Sequence, residues 1–455
     1  MIIILAILFV FILVFLGYFK WKHTYWKRRG INGPPTSWFL GNYYEVSDMY
    51  NMRYQVLNDW SKKYGKTFGY YEGVRNVLVT SDLSMLNELF IKKFSDFHAR
   101  KVTNVIHADL ENPKEEPLVN IFLSRGSRWK RMRALGSPAF SVKALKQVHG
   151  IIEDSILNMI DLMSKYADER SFNIHKFYQE LTFDVISRVA MGQTHSELFN
   201  NPRTMLTKKR ENEKNGIENV PEDFIDIFLD HHVDELNDAA FGTSFEKKAT
   251  TEEVISNCFV FLLAGFDTTA NTLAYASHAI VKHPDVGKKI QQEVDSVCSD
   301  GNISYDDLNK MSYLEAVVKE TLRLYPIAYF ACSREAVNDT SLGNIKIDKG
   351  TFVEADVLAI HTNPEIWGNN ADQFYPERFL EKTETPRHVM SWIPFGAGPR
   401  QCLGMRLGII EAKLVLAHVL RKFDIVKAPD TEEELKLHGC STISPEKVTV
   451  QLKSR

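Results

Sequence analysis

Residues 394–405, PFGAGPRQCLGM, put one cysteine, Cys402, among Gly396, Gly398 and Gly404, with Arg400 two positions before it. A lone cysteine is usually a small buried hydrophobe, but as a thiolate it is a nucleophile and a metal ligand. The next segment, LGMRLGIIEAKLVLAHVLRKF, has helical spacing, with Leu407, Ile410, Leu414, Leu416 and Leu420 on or near one apolar face. Cys402 therefore falls at a helix N-terminus, where free amides and the helix dipole favour an anion. The glycines predict a backbone able to press against a flat, wide group. Arg400 presents a rigid fork of donors suited to a carboxylate.

Four upstream stretches also carry chemistry. In WKRMR, Trp129 and Arg133 stand four apart, on one helical face, before Pro138 interrupts the pattern. The segment CFVFLLAGFDTTANTLAYASHAI reads as a long apolar helix opened by Thr250 and Glu253 at capping-box spacing. Asp267, Thr268, Thr269 and Asn271 interrupt its apolar character, and buried polar groups are costly unless bonded. Thr268 is placed to bond back to the carbonyl of Ala264, with a local bulge expected at Gly265. KETLRLYP sets Glu320 and Arg323 one turn apart, FYPERF contributes Arg378, and ACSREAV contributes Arg334.

Phe395, Gly396, Gly398, Arg400, Cys402 and Gly404 reproduce the pattern FGxGxRxCxG, and from about Gly33 onward the chain is similar to the cytochrome P450 family, whose other motifs these stretches match in order. The resemblance implies a mainly α cytochrome P450 fold, a helical haem domain with small β-sheets. It makes Cys402 the thiolate ligand of the iron of haem b, a ligation that favours O–O cleavage. Trp129, Arg133 and Arg400 then hold a haem propionate, Arg334 the other, while Ala264, Phe395 and Gly404 border the cofactor. Thr268 becomes a proton donor in oxygen activation and Asp267 its relay. Glu320, Arg323 and Arg378 become a buried triad supporting the cysteine loop.

The same resemblance implies a monooxygenase that inserts one oxygen atom from O2 into a lipophilic small molecule. Electrons come from NADPH through NADPH–cytochrome P450 reductase, with cytochrome b5 as a further donor. Lys130, Arg131, Lys143 and Arg406 are candidates for the face that meets the acidic partner. One departure stands out: between LTFDVISRVAMGQ and PEDFIDIFLD only residues 194–220 are available, too short at about 1.5 Å per helical residue for two long covering helices. A shortened lid leaves two readings, an active monooxygenase and a haem-binding variant with little activity; an isomerase or dehydratase on the same fold would not need the acid and alcohol pair.

The elements that must position these groups begin with an uncharged apolar run to Phe19, long enough to span a bilayer. Lys20, Lys22, Lys27, Arg28 and Arg29 come directly after it, so the positive-inside rule places the body in the cytosol, at the endoplasmic reticulum by the resemblance. Trp21, Tyr25 and Trp26 suit the lipid–water interface. The expected organisation is an anchor at 1–19, a basic and Pro/Gly hinge at 20–35 and a haem domain at 36–455. Short strands are expected at TFGYYEG, NVLVTSD and KVTVQLKSR. Residues 207–223, dense in charge, read as an exposed loop. A net charge of -3 argues against a nucleic-acid surface, and five scattered cysteines without a CxxC pair argue against a disulfide framework or structural zinc.

Overall fold

Apolar residues at helical spacing dominate this chain, and helices make most of its framework. The structure, a computed structural model, describes residues 2–48, 52–101, 114, 116–199, 231, 233, 246–298, 302–380, 386–439 and 442–455. The charged stretch 207–223, most of the lid segment 194–220 and Cys440 lie outside the described residues.

Helix α1 (Ile2–Lys22) has no buried residue and is long and apolar enough to cross a membrane. Two expectations fail just beyond this helix. Tyr25 and Trp26 are buried in the body rather than set at an interface. The Trp26 backbone amide donates to the Tyr71 hydroxyl at 3.0 Å and its indole to the Tyr70 carbonyl at 3.2 Å, over Gly69, where a Cβ would strike the ring at 2.2 Å. The stretch 20–35 is accordingly no free hinge: Gly69 donates to the Asn32 carbonyl, and Arg29 pairs with Asp348 at 2.6 Å.

The main sheet pairs β1 (Thr67–Glu72) antiparallel with β2 (Arg75–Thr80), β2 parallel with β4 (Phe352–Ala355), and β4 antiparallel with β3 (Ser333–Glu335). Side chains alternate between its faces. Phe68, Tyr70, Val77, Val79 and Phe352 pack on one side, and Tyr71, Leu78, Val353 and Ala355 on the other. A second small sheet joins Phe172–Asn173 and β5 (Phe423–Val426) to β7 (Thr449–Ser454), with the short strand β6 (Ser444–Pro445) just before β7. All three sequence-expected strands are present.

The helical core comprises α2 (Gly126–Gly136), α3 (Val142–Ser164), α4 (Ile174–Met191), α5 (Thr251–Lys282), α6 (Ser312–Leu324) and α7 (Met405–Lys422). The expected capping box opens α5, since Thr250 and Glu253 exchange side-chain to backbone bonds. Glu253 also accepts from Arg128 and from Arg131, each at 2.8 Å, and both arginines are buried. Arg131 is therefore no part of an exposed docking face; it ties α2 to the start of α5.

The triad assembles as the resemblance implied. Glu320 accepts from Arg323 at 2.7 Å and from Arg378 at 2.9 Å, with all three side chains buried. Its link to the cysteine loop is His361, which the sequence did not disclose. His361 Nε2 accepts from the Ile393 amide at 3.0 Å, which leaves its Nδ1 to donate to the Arg323 carbonyl at 3.0 Å. Burial pushes the imidazole pKa down to about 3, so the ring stays neutral and keeps this arrangement at physiological pH. Glu320→Gln removes the carboxylate that two buried guanidiniums share and is expected to cost about 3–5 kcal/mol, read as a lowered urea midpoint. Lys62→Ala, at the exposed pair with Asp59, should change stability by less than about 1 kcal/mol.

Candidate active site

The cysteine loop closes on itself. Cys402 donates its amide to the Phe395 carbonyl at 2.9 Å, Gln401 to Gly398 at 2.9 Å and Gly396 to Ile393 at 3.0 Å. Gly396 and Gly398 have φ of 72° and 68°, the left-handed region that glycine tolerates. A Cβ on Gly398 would lie 2.0 Å from the Phe90 carbonyl oxygen. This close approach to the protein's own backbone by itself requires glycine at 398. The Phe395 ring packs edge-on to Trp392 at 6.0 Å, and Gly404 caps α7, which begins three residues after Cys402.

The Cys402 side chain is exposed to a crevice, yet enough protein surrounds it that burial raises the thiol pKa. The Gly404 amide and the Arg100 and Arg133 guanidiniums pull the other way but do not prevail. The helix terminus by itself does not produce the expected thiolate. A bound metal would, because a coordinating thiol is deprotonated outright.

Arg100 and Arg133 act on the Cys402 sulfur, and Arg334, Arg400 and Arg125 stand close enough to join them in one cluster of like charge. Arg100 donates to the carbonyls of Ala331 at 2.6 Å and Arg400 at 3.0 Å. Arg334 donates to Ser333 at 2.7 Å, and Arg400 to the carbonyls of Phe122 and Ser124. Among the described residues these three hydrogen-bond only to backbone carbonyls, and the Nε of each is buried without a partner. Of the five, Arg125 has a carboxylate, Glu335 at 2.8 Å. Burial, with mutual repulsion, pulls the pKa of Arg100 down to about 10 and of Arg334 to about 9, and that of Arg400 well below its usual value. Arg133, half-buried, is lowered by burial as well. The Trp129 ring lies under the Arg400 guanidinium at 4.5 Å. Such a cluster calls for anionic groups. A haem, with two carboxylates for the guanidiniums and an iron for the soft sulfur, fits this donor set.

Helix α5 meets this region where Thr269 faces Gly408 of α7, and where Phe261 packs on Phe140, itself against Gly404. Thr268 donates to the Ala264 carbonyl at 2.7 Å as expected, but α5 runs unbroken, without the expected bulge at Gly265. Asp267 does not bond to Thr268. Its carboxylate accepts from Thr442 at 2.6 Å and from Ser444 at 3.4 Å, on the segment entering β6. Asn271 continues this line, donating to Ser444 at 2.9 Å and bonding to His175 of α4 at 2.8 Å.

The structure thus brings together Cys402, Arg133, Arg334, Arg400 and Trp129, and turns the acid and the alcohol of α5 to different partners. Sequence reasoning missed Arg100, whose setting FHARKV reads as an ordinary basic loop; the period-2 alternation of an extended segment is the one signal that could have revealed it.

The sequence description of the family "Cytochrome P450" matches residues 31–214 and 195–452. The chain is 52% identical to the putative cytochrome P450 cyp-13B1 of Caenorhabditis elegans over 511 aligned positions, covering 100% of this chain and 99% of that protein. It is 38% identical to the putative cytochrome P450 CYP13A1 of the same organism, covering 98% of each. Similarity of this extent, along the whole length and through every stretch that builds the crevice, places the chain in the cytochrome P450 family, the haem-thiolate monooxygenases.

Proposed function

We propose that this chain binds haem b through Cys402 and oxidises a lipophilic small molecule at the membrane of the endoplasmic reticulum, with the α1 helix as anchor and the body in the cytosol. The observation that carries the reading is the buried guanidinium cluster beside Cys402, which lacks carboxylates for Arg100, Arg334 and Arg400 among the described residues. These arginines with Arg133 and Trp129 would hold the propionates, and Ala264, Phe395 and Gly404 would border the ring. Bound there, the haem supplies the redox chemistry that activates O2, in the balance RH + O2 + NADPH + H+ giving ROH + H2O + NADP+. The chain's own residues hold the cofactor, exclude water and move protons. Thr268 is the proposed proton donor. Asp267 is the proposed relay, reaching it only by leaving Thr442.

Electrons would come from NADPH through NADPH–cytochrome P450 reductase, with cytochrome b5 as a second donor. Lys130, Lys143 and Arg406 are exposed and suit an acidic partner. The second reading is a haem-binding variant with little activity. A lid shortened around 194–220 is supported by the break of the family similarity into two stretches, 31–214 and 195–452, that overlap there, and by 511 aligned positions against a chain of 455 residues.

Reconstitution with the reductase separates the two readings. An active enzyme consumes NADPH and yields hydroxylated product from a lipophilic test compound; an inactive binder forms none, or releases only peroxide. In the active case Thr268→Ala should cut product on the order of tenfold or more and raise peroxide in its place. Unchanged coupling would remove Thr268 from its role. First-electron transfer from the reductase should slow as ionic strength rises and slow further in Lys143→Glu/Arg406→Glu; a salt-independent rate contradicts electrostatic docking.

A further inference from the structure

The residue after Arg100 is as buried as Arg100 and points the other way. Ala99 forms an antiparallel bridge with Glu335 at the edge of β3, with the Glu335 amide donating to the Ala99 carbonyl at 2.9 Å. Ala99 therefore stands opposite Glu335 and Arg100 falls beside Arg334, on the sheet face where Val353 lies. Alternation sends Lys101 to the opposite face, that of Phe352 and Glu354. There the Lys101 ammonium meets the carboxylates of both Glu72 and Glu354, with its side chain only 4% exposed. Arg53 closes the group, at 2.5 Å from Glu72 and 2.6 Å from Glu354, and the Tyr70 hydroxyl donates to Glu72 at 2.8 Å. Two cations and two carboxylates balance. Burial would raise the Glu72 pKa, but Lys101 and Arg53 hold it far below the usual carboxylate range.

We propose that Lys101 is a positioning residue for the haem: its buried pairing with Glu72 and Glu354 fixes the register of the Asp96–Lys101 edge segment and so keeps Arg100 in the guanidinium cluster. This rests on the reading of that cluster as the propionate site. A slip by one residue would carry Lys101 into the crevice and Arg100 into the carboxylate pair. Both are cations, so charge alone does not forbid the exchange. Geometry does, because Arg53 already fills the space beside Glu72 and Glu354, and the ammonium completes the set with a compact head that the planar guanidinium lacks.

The test uses the full chain in detergent, loaded with haem, and follows haem transfer to apomyoglobin alongside the urea unfolding midpoint. Lys101→Met/Glu72→Gln removes one charge of each sign, so its urea midpoint should stay near the parent's, while haem leaves about tenfold faster. Arg100→Gln should also release haem faster. Adding Lys101→Met/Glu72→Gln to Arg100→Gln should bring no further acceleration, because Lys101 acts through Arg100. Lys101→Arg, which keeps the charge but not the shape, should fall between the parent and the double variant. Equal acceleration in the presence and absence of Arg100, or no acceleration at all, overturns the positioning role. A parent chain that takes up no haem, or an Arg100→Gln variant that holds haem like the parent, overturns instead the reading on which it rests.

Discussion

Buried positive charge beside one sulfur governs this structure. Two like unit charges 4 Å apart repel by about 4 kcal/mol at an effective dielectric constant of about 20, and burial adds its own penalty to each. Among the described residues Arg100, Arg334 and Arg400 pack together with backbone carbonyls and aromatic rings as partners, and an anion joining them would relieve that cost. The rest of the fold can be understood as the apparatus that keeps these cations from escaping to water. Arg334 is on a strand, Arg133 on α2, Arg400 in the turn before Cys402, and Arg100 on an edge segment. Each is therefore held by a different element, and none can relax without disturbing a neighbour.

The same economy of position runs behind the cysteine. Glu320 binds two arginines in the interior, and the neutral His361 passes that rigidity to Ile393, two residues before Phe395. Gly398 sits against the Phe90 carbonyl where no side chain fits. The loop is thus fixed from both sides by contacts within the protein, and this preorganisation is what lets a sulfur of raised pKa face the crevice without collapsing into the core. The acid of α5 is engaged by Thr442 while the alcohol is engaged by its own helix, so the proposed proton delivery would need these side chains to change partners.

Much of this was legible from residue order. The cysteine motif, the capping box at Thr250 and the three strands depend on local spacing, the triad was implied by the family resemblance, and all stand where expected. What failed depended on distant partners. Arg131 reads as a surface cation until Glu253 is seen beside it. Trp26 reads as an interfacial anchor until Gly69 is seen to make room for its ring. Arg100 and Lys101 read as one basic pair, and only the bridge between Ala99 and Glu335 reveals that they serve opposite faces of a sheet. Gly398 of the cysteine loop meets the Phe90 backbone, a distant partner that residue order does not reveal.

The central claim is that Cys402, surrounded by this charge, gives its sulfur as a thiolate to haem iron. It is tested most directly by the absorption spectrum of the purified haem-loaded protein, reduced under carbon monoxide. The expected result is the strongly red-shifted Soret band that a thiolate opposite carbon monoxide produces, and its loss when Cys402 is replaced by serine. A band at the shorter wavelength of an imidazole-ligated haem, or a spectrum unaltered by Cys402→Ser, would contradict it.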